Sequence, residues 1–179
     1  PGLIDINGRL SATGNITLRA EDSVIQNNNG DLIAQAIGST IDVQAVNGGI
    51  DMVANDGTGA AVTNGGNIRY EANGTIEFGS LDARSAADRT AATLPGQGAW
   101  GSVSVVSATS VIDDLNLDAE VDIYANNLRI EAGDAIGSSG TDERRLELEA
   151  ATVAMTAASG IAVFESTGLT IGTVAPIIV

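Results

Sequence analysis

An all-β fold, a parallel β-helix of about six coils of roughly 25 residues with three short strands in each, is what this sequence predicts. Three observations carry the prediction. A five-residue alternating motif returns at a nearly constant spacing. Two further strand series fall between its copies, and corners rich in Gly, Asn and Asp separate them.

The first series reads apolar, any, apolar, any, Ala: ITLRA from Ile16, IDVQA from Ile41, IRYEA from Ile68, LRIEA from Leu128 and VAMTA from Val153, with VSVVS from Val103 in the same frame. Its starts are separated by 25, 27, 35, 25 and 25 residues. Alternation with a period of two places successive side chains on opposite faces of a strand, so each motif is a half-buried strand. Stacking the copies predicts an inward column of Leu18, Val43, Tyr70, Val105, Ile130 and Met155. The outward column is Arg19, Gln44, Glu71, Val106, Glu131 and Thr156, mostly polar as a solvated face requires.

The second series follows about eight residues after the first, at Val24, Ile50, Ile76 and Ile161, with weaker copies at Val111 and Ile136. The third is read at Leu32, Val121, Leu146 and Leu169, with only Val62 in the second turn. Corners are supplied by NNNG at Asn27, NGG at Asn47 and Asn64, and ANGT around Asn73, residues that tolerate positive φ or bond to their own backbone. A β-sandwich uses similar turns and short strands. It has no reason to repeat one 25-residue pattern.

Composition fits a thin aliphatic interior: 44% of residues are hydrophobic, 3% are aromatic and Gly contributes 22. The formal charge is −15, from 23 acidic residues against eight basic ones, all of them Arg. Such a surface repels phosphate backbones and anionic lipid, which argues against nucleic-acid binding and membrane insertion. Cys is absent, so no disulfide framework exists, and no apolar run is long enough to span a bilayer. The opening on Pro1 and the close on PIIV read as cuts in a larger polypeptide, so residues 1–179 are expected to be one solenoid segment of a longer chain.

One stretch breaks the period, SLDARSAADRTAATLPGQGAWGS from Ser80 to Ser102, an inserted loop over 80–102. ARSAADRTAA is expected to make a short helical turn that LPGQG ends. Insertions in solenoids emerge on one face and often carry binding, so Trp100, Arg84 and Arg89 are the candidate ligand or partner contacts. An exposed indole at Trp100 could stack on a sugar ring. The competing expectation is that Trp100 tucks back to cover the flank where the loop rejoins the stack.

Catalysis has little to stand on. His and Cys are absent, and no nucleophile elbow or phosphate-binding loop is present, so the chain is read as a non-enzyme. The acidic stacks are weighed as weak Ca²⁺ candidates: Asp51 over Glu77, and Asp122 over Glu147, with Glu149 just beyond. No DxDxDG loop or Ca²⁺-binding nonapeptide supports a cation. The alternative is that Arg144 and Arg145 neutralise one stack while water screens the other. The dense run of Asp113, Asp114, Asp118, Glu120 and Asp122 is read as a solvated corner, and no cofactor is expected.

With the coils aligned, NLRIEAGDAIGSSG from Asn127, LELEAATVAMTAASGIAVFES from Leu146 and GLTIGTV from Gly168 resemble the repeat regions of filamentous-haemagglutinin-like bacterial exoproteins. The resemblance implies a right-handed helix, an extracellular or cell-surface location, adhesion as the role, and export through an outer-membrane partner. It carries over no catalytic residue. The expected partners are the rest of the parent solenoid and a host or cell-surface protein or glycan. A glycan-binding or glycan-cleaving β-helix, using the 80–102 loop and the stacked carboxylates, is the alternative.

Overall fold

The computed structural model describes residues 2–54, 59–113, 121–138 and 145–179. Their strands, in chain order, begin with β1 (Ile4–Ile6), β2 (Leu10–Ala12), β3 (Ile16–Ala20), β4 (Val24–Asn27), β5 (Leu32–Ile37), β6 (Ile41–Ala45) and β7 (Ile50–Ala54). Next come β8 (Ala60–Asn64), β9 (Ile68–Ala72), β10 (Ile76–Phe78), β11 (Ser80–Asp82), β12 (Val103–Ser107) and β13 (Val111–Asp113). The last are β14 (Ile123–Ala132), β15 (Ala135–Ile136), β16 (Leu146–Ala157), β17 (Gly160–Ile161), β18 (Val163–Glu165) and β19 (Thr170–Ile171).

Every strand pairing among the described residues is parallel, which sets aside the antiparallel sandwich. Each strand pairs with strands two or three places away in the chain, the signature of a β-solenoid. One sheet runs β1-β4-β7-β10-β13-β15-β17, which is the second series. A second path, β2-β5-β8-β11-β14-β12-β9-β6-β3, joins the third series to the first through β14, and β16 extends it.

The first series stacks in the expected register. Leu18 lies on Val43, Val43 on Tyr70, Tyr70 on Val105, Val105 on Ile130 and Ile130 on Met155. The four inner members are fully buried, and the end members Leu18 and Met155 are partly so. Two more columns close the interior: Val24, Ile50, Ile76, Val111 and Ile136 from the second series, and Leu32, Ala61, Leu81, Ile123 and Leu148 from the third. Burial of each such Ile, Leu or Val contributes about 1.5–3 kcal/mol. Tyr70 is the one buried phenol, and its hydroxyl donates to Gln26 Oε1 at 2.6 Å. The Gln26 amide in turn donates to the Gly30 carbonyl, so this polar pair inside an aliphatic core is satisfied.

Several boundaries differ from the sequence reading. Ser80–Asp82 is a ladder strand, with Leu81 fully buried between Ala61 and Ile123, so the break starts at Ala83 and not at Ser80. A strand with one apolar residue gives no alternation to see. Thr170–Ile171 pairs with Thr152–Val153 and therefore belongs to the first series, not the third. The IAVF segment divides between β17 and β18, and β1 and β2 add strands at the start of the chain.

The corner between third and first series varies most. It is three residues long before β6 and before β9, twenty residues long at 83–102, and reduced to Asn126–Asn127 inside the single long strand β14. Glycine is required where coils touch there: a Cβ on Gly66 would lie 2.0 Å from the Ser39 carbonyl oxygen, and one on Gly101 would lie 2.0 Å from that of Gly66. Beyond β19 the segment 173–178 runs back across this corner, beside Asn127, Ser102 and Asn67. There the Asn67 side-chain amide donates to the Ile178 carbonyl at 2.8 Å.

Candidate functional site

The 83–102 segment leaves the sheet from Asp82 and returns at Val103. Its helix α1 (Ala86–Arg89) is capped by Ser85, whose hydroxyl accepts from Asp88 N at 3.1 Å, and a 3₁₀ turn over Gln97–Ala99 leads into Trp100. Arg84 forms a two-pronged pair with the buried Asp82, Nε to Oδ1 at 3.0 Å and an Nη to Oδ2 at 2.7 Å. Burial opposes the Arg84 charge, but the Asp82 carboxylate more than compensates, so the guanidinium holds its proton above the usual arginine range.

The same guanidinium lies 3.5 Å from the centroid of the Tyr124 ring, a cation–π contact. Trp100 meets that ring edge-on, with centroids 6.0 Å apart and planes at 72°. Arg89 donates to the carbonyls of Thr63 and Arg84 at 2.7 and 2.6 Å and lies 3.8 Å from Asp82. The three residues singled out in the insertion are thus brought together, but as a clamp. Trp100 is only 4% exposed, which fits the expectation that it tucks back and not that of a free indole. Its ring packs beside β14 against Tyr124, whose other contact is the Arg84 guanidinium. Trp100 Nε1 is buried without a hydrogen-bond partner.

The carboxylate stacks divide into two kinds. Asp51 and Glu77 lie in register on β7 and β10, half-buried and facing outward as expected, and Asp51 Oδ1 accepts from Val53 N at 2.9 Å. Asp122 and Glu147 are also adjacent: Glu147 N donates to Asp122 Oδ2 at 2.8 Å, and Asp122 N donates to the Glu147 carbonyl at 3.0 Å. Asp113, at the end of β13, completes a group in which one carboxylate oxygen from each residue lies within 4.8 Å of the other two. Asp113 and Asp122 are each 8% exposed, so the solvated-corner reading is wrong for these two. Asp114, Asp118, Glu120 and Arg144 lie outside the described residues.

Burial is the main cause that pushes the Asp122 carboxyl up to about 9, with Asp113 and Glu147 adding like charge and the Glu147 N–H working the other way. At neutral pH this carboxyl therefore keeps its proton. Three carboxylates at this spacing match the oxygen chemistry of a hard cation, and Asp113, Asp122 and Glu147 are the residues that would hold one. A proton relieves the same repulsion. Because both aspartates are buried, neither carboxyl is presented to a polymer substrate.

Sequence reasoning grouped Asp113 with Asp122 in one acidic run but missed that Glu147 joins them, since Glu147 comes from the next coil. It placed Glu149 just beyond the Asp122–Glu147 stack but missed its partners: Glu149 is 2% exposed and accepts from Ser166 and Thr167 hydroxyls at 2.8 and 3.1 Å and from the Gln97 amide at 3.4 Å. The clue was its place in LELEAATV, two residues before the corner, where an outward side chain meets the next loop. Among the described residues, no helix is long and apolar enough to cross a membrane. Comparison with protein-family models, with curated proteins and with solved structures finds no match to this chain.

Proposed function

We propose that residues 1–179 are a structural and adhesive rod segment of a large secreted bacterial surface protein, an adhesin or leukotoxin-like exoprotein of the filamentous-haemagglutinin-like kind. The rod is a right-handed helix of about six coils of roughly 25 residues, each built from three strands. One observation carries this reading: parallel ladders link nearly the whole described chain, with apolar columns inside and many polar side chains outside. A stack of this kind turns chain length directly into reach, at about 4.8 Å per coil.

Support for the extracellular setting comes from the acidic, Lys-free and Cys-free composition and from the repeat phrasing, and export through an outer-membrane partner follows from the same resemblance. In the parent cell the partners are the flanking solenoid and a host or cell-surface protein or glycan. The test is surface labelling of intact parent cells with an antibody raised against residues 1–179, with protease shaving alongside. Labelling that is lost on shaving is expected. Signal found only after lysis would overturn the surface reading, and polysaccharide cleavage by the purified segment would replace the rod with an enzyme.

A further inference from the structure

We infer that Asn73 is an attachment site for sugar, its side-chain amide taking a glycosyl group from a donor activated by phosphate at the anomeric carbon. The inference rests on one corner inside the stack and not on the adhesive reading.

Asn73, Gly74 and Thr75 form an Asn-x-Ser/Thr acceptor triplet at the corner between β9 and β10. Such an acceptor has to be a surface turn that a transferase can grip. Asn73 and Gly74 are a bend, and Asn73 and Thr75 are both exposed.

The stack contains its own comparisons. The same corner one coil earlier carries Asn47, whose amide donates to the Glu21 carbonyl at 2.8 Å and to Glu21 Oε1 at 3.1 Å, and Gly49 stands where the hydroxyl would be needed. The second triplet in the chain, Asn15, Ile16 and Thr17, is laid out differently. Asn15 Oδ1 accepts from Thr40 N at 3.0 Å, and the next two residues belong to β3, with Ile16 buried in the core. The Asn73 amide, by contrast, makes no hydrogen bond among the described residues. Its backbone is held, since Asn73 N donates to the Ala45 carbonyl at 3.2 Å and Gly74 N to the Gly48 carbonyl at 2.8 Å. A fixed corner therefore presents a free amide.

Beside Asn73 lies a groove of about 400 Å³ along the outside of the coils. Gln44 and Glu71 line it with donors and acceptors suited to sugar hydroxyls, and Ala45, Ala72 and Val106 give apolar surface for the face of a ring. In the transfer, Asn73 Nδ2 bonds to the anomeric carbon and gives up one proton, while the bond from that carbon to the phosphate oxygen breaks and its electron pair leaves with the phosphate. The donor is a nucleotide-linked or lipid-linked sugar of the parent cell.

The test is mass spectrometry of the protein recovered from parent cells. Trypsin cuts after Arg69 and Arg84 to release 70–84, which holds Asn73, and after Arg9 and Arg19 to release 10–19, which holds Asn15. Sugar mass is expected on 70–84, placed on Asn73 by fragmentation, with none on 10–19. Single-sugar increments identify a nucleotide-linked donor and one preassembled block a lipid-linked donor; either supports the site. Thr75→Ala should abolish the added mass although Asn73 is intact, and Thr75→Ser should retain it. Thr75 is exposed and its hydroxyl bonds to Thr109 Oγ1 at 3.1 Å, so the ladder beside it survives the change, which circular dichroism checks. A bare 70–84 peptide, sugar on Thr75 in place of Asn73, or sugar retained by Thr75→Ala would each overturn the inference. Antibody labelling of cells whose 70–84 peptide is bare would leave the rod reading standing while this one fails.

Discussion

The regular coils and the 83–102 segment are held by different forces. In the coils around Ile41, Ile68 and Val103 a column of like aliphatic residues and a backbone ladder repeat the same contact, so each coil has two equivalent neighbours. The inserted segment has no ladder. It is fixed by unlike groups, Asp82, Arg84, Tyr124 and Trp100, with Arg89 tying it to Thr63 and single bonds such as Gly65 N to the Arg84 carbonyl tying it to the coils. Stability in the first region is shared along the stack, as expected of repeat architectures, and in the second it is concentrated in a few side chains.

The largest expected effect lies in the shared region. Tyr70→Ala removes the largest fully buried side chain among the described residues and should cost about 3–5 kcal/mol, lowering the urea midpoint of the whole stack in one transition. Tyr70→Phe removes only the hydroxyl that Gln26 accepts, and a loss of about 1–3 kcal/mol is expected. A noncooperative melt of the alanine variant, with distant coils unaffected, would break the idea that the columns act as a unit.

Arg84→Gln should cost about 1.5–3 kcal/mol, because it strips a buried carboxylate of its two-pronged partner. Here the contrast predicts locality. Hydrogen exchange should accelerate across 83–102 and near Tyr124, while β3, β6 and β9 keep their protection. Uniform acceleration would show that the clamp is part of the stack's own stability.

Asp122 supplies a pH test. Its folded-state value, about 9, lies above the ordinary carboxyl value of 3.8, so the folded chain binds more protons than the unfolded one between those limits. The stabilisation is complete below about pH 4, declines as pH rises and is gone above about pH 9. Asp122→Asn, which keeps an acceptor for Glu147 N, should flatten the midpoint-against-pH curve between pH 5 and 9. If Ca²⁺ raises the melting temperature of the unmodified chain and not of this variant, a cation and not a proton neutralises the trio. The smallest effect is expected for Arg19→Gln, whose partner Glu21 is 3.9 Å away with both side chains exposed; about 0.5 kcal/mol or less should be lost.

The same contrast explains what was readable in the sequence. Ile16, Ile41, Ile68, Val103, Leu128 and Val153 announce themselves because a column needs the same kind of residue at the same phase, and their register follows from spacing alone. Ser80–Asp82 was hidden because the ladder around it supplies the backbone bonds that its own sequence does not advertise. Trp100 was recognised as unusual, yet its seat depends on Tyr124, which enters from the next coil. The meeting of Asp113, Asp122 and Glu147 was likewise hidden, because the coil of the two aspartates had to be stacked on that of Glu147 before the carboxyl groups met.

The corner at Asn126–Asn127 has a consequence for how such a chain can change. Within β14 the buried and outward positions alternate except at these two adjacent residues, which both face outward, so a full corner is spent on one step of phase. The same corner one coil earlier accommodates twenty residues without shifting Val103 off Ile68 or Leu128. Length at this position is therefore uncoupled from register, and a foreign segment grafted between Asn126 and Asn127 should be carried as cargo while the coils on either side stay where they are.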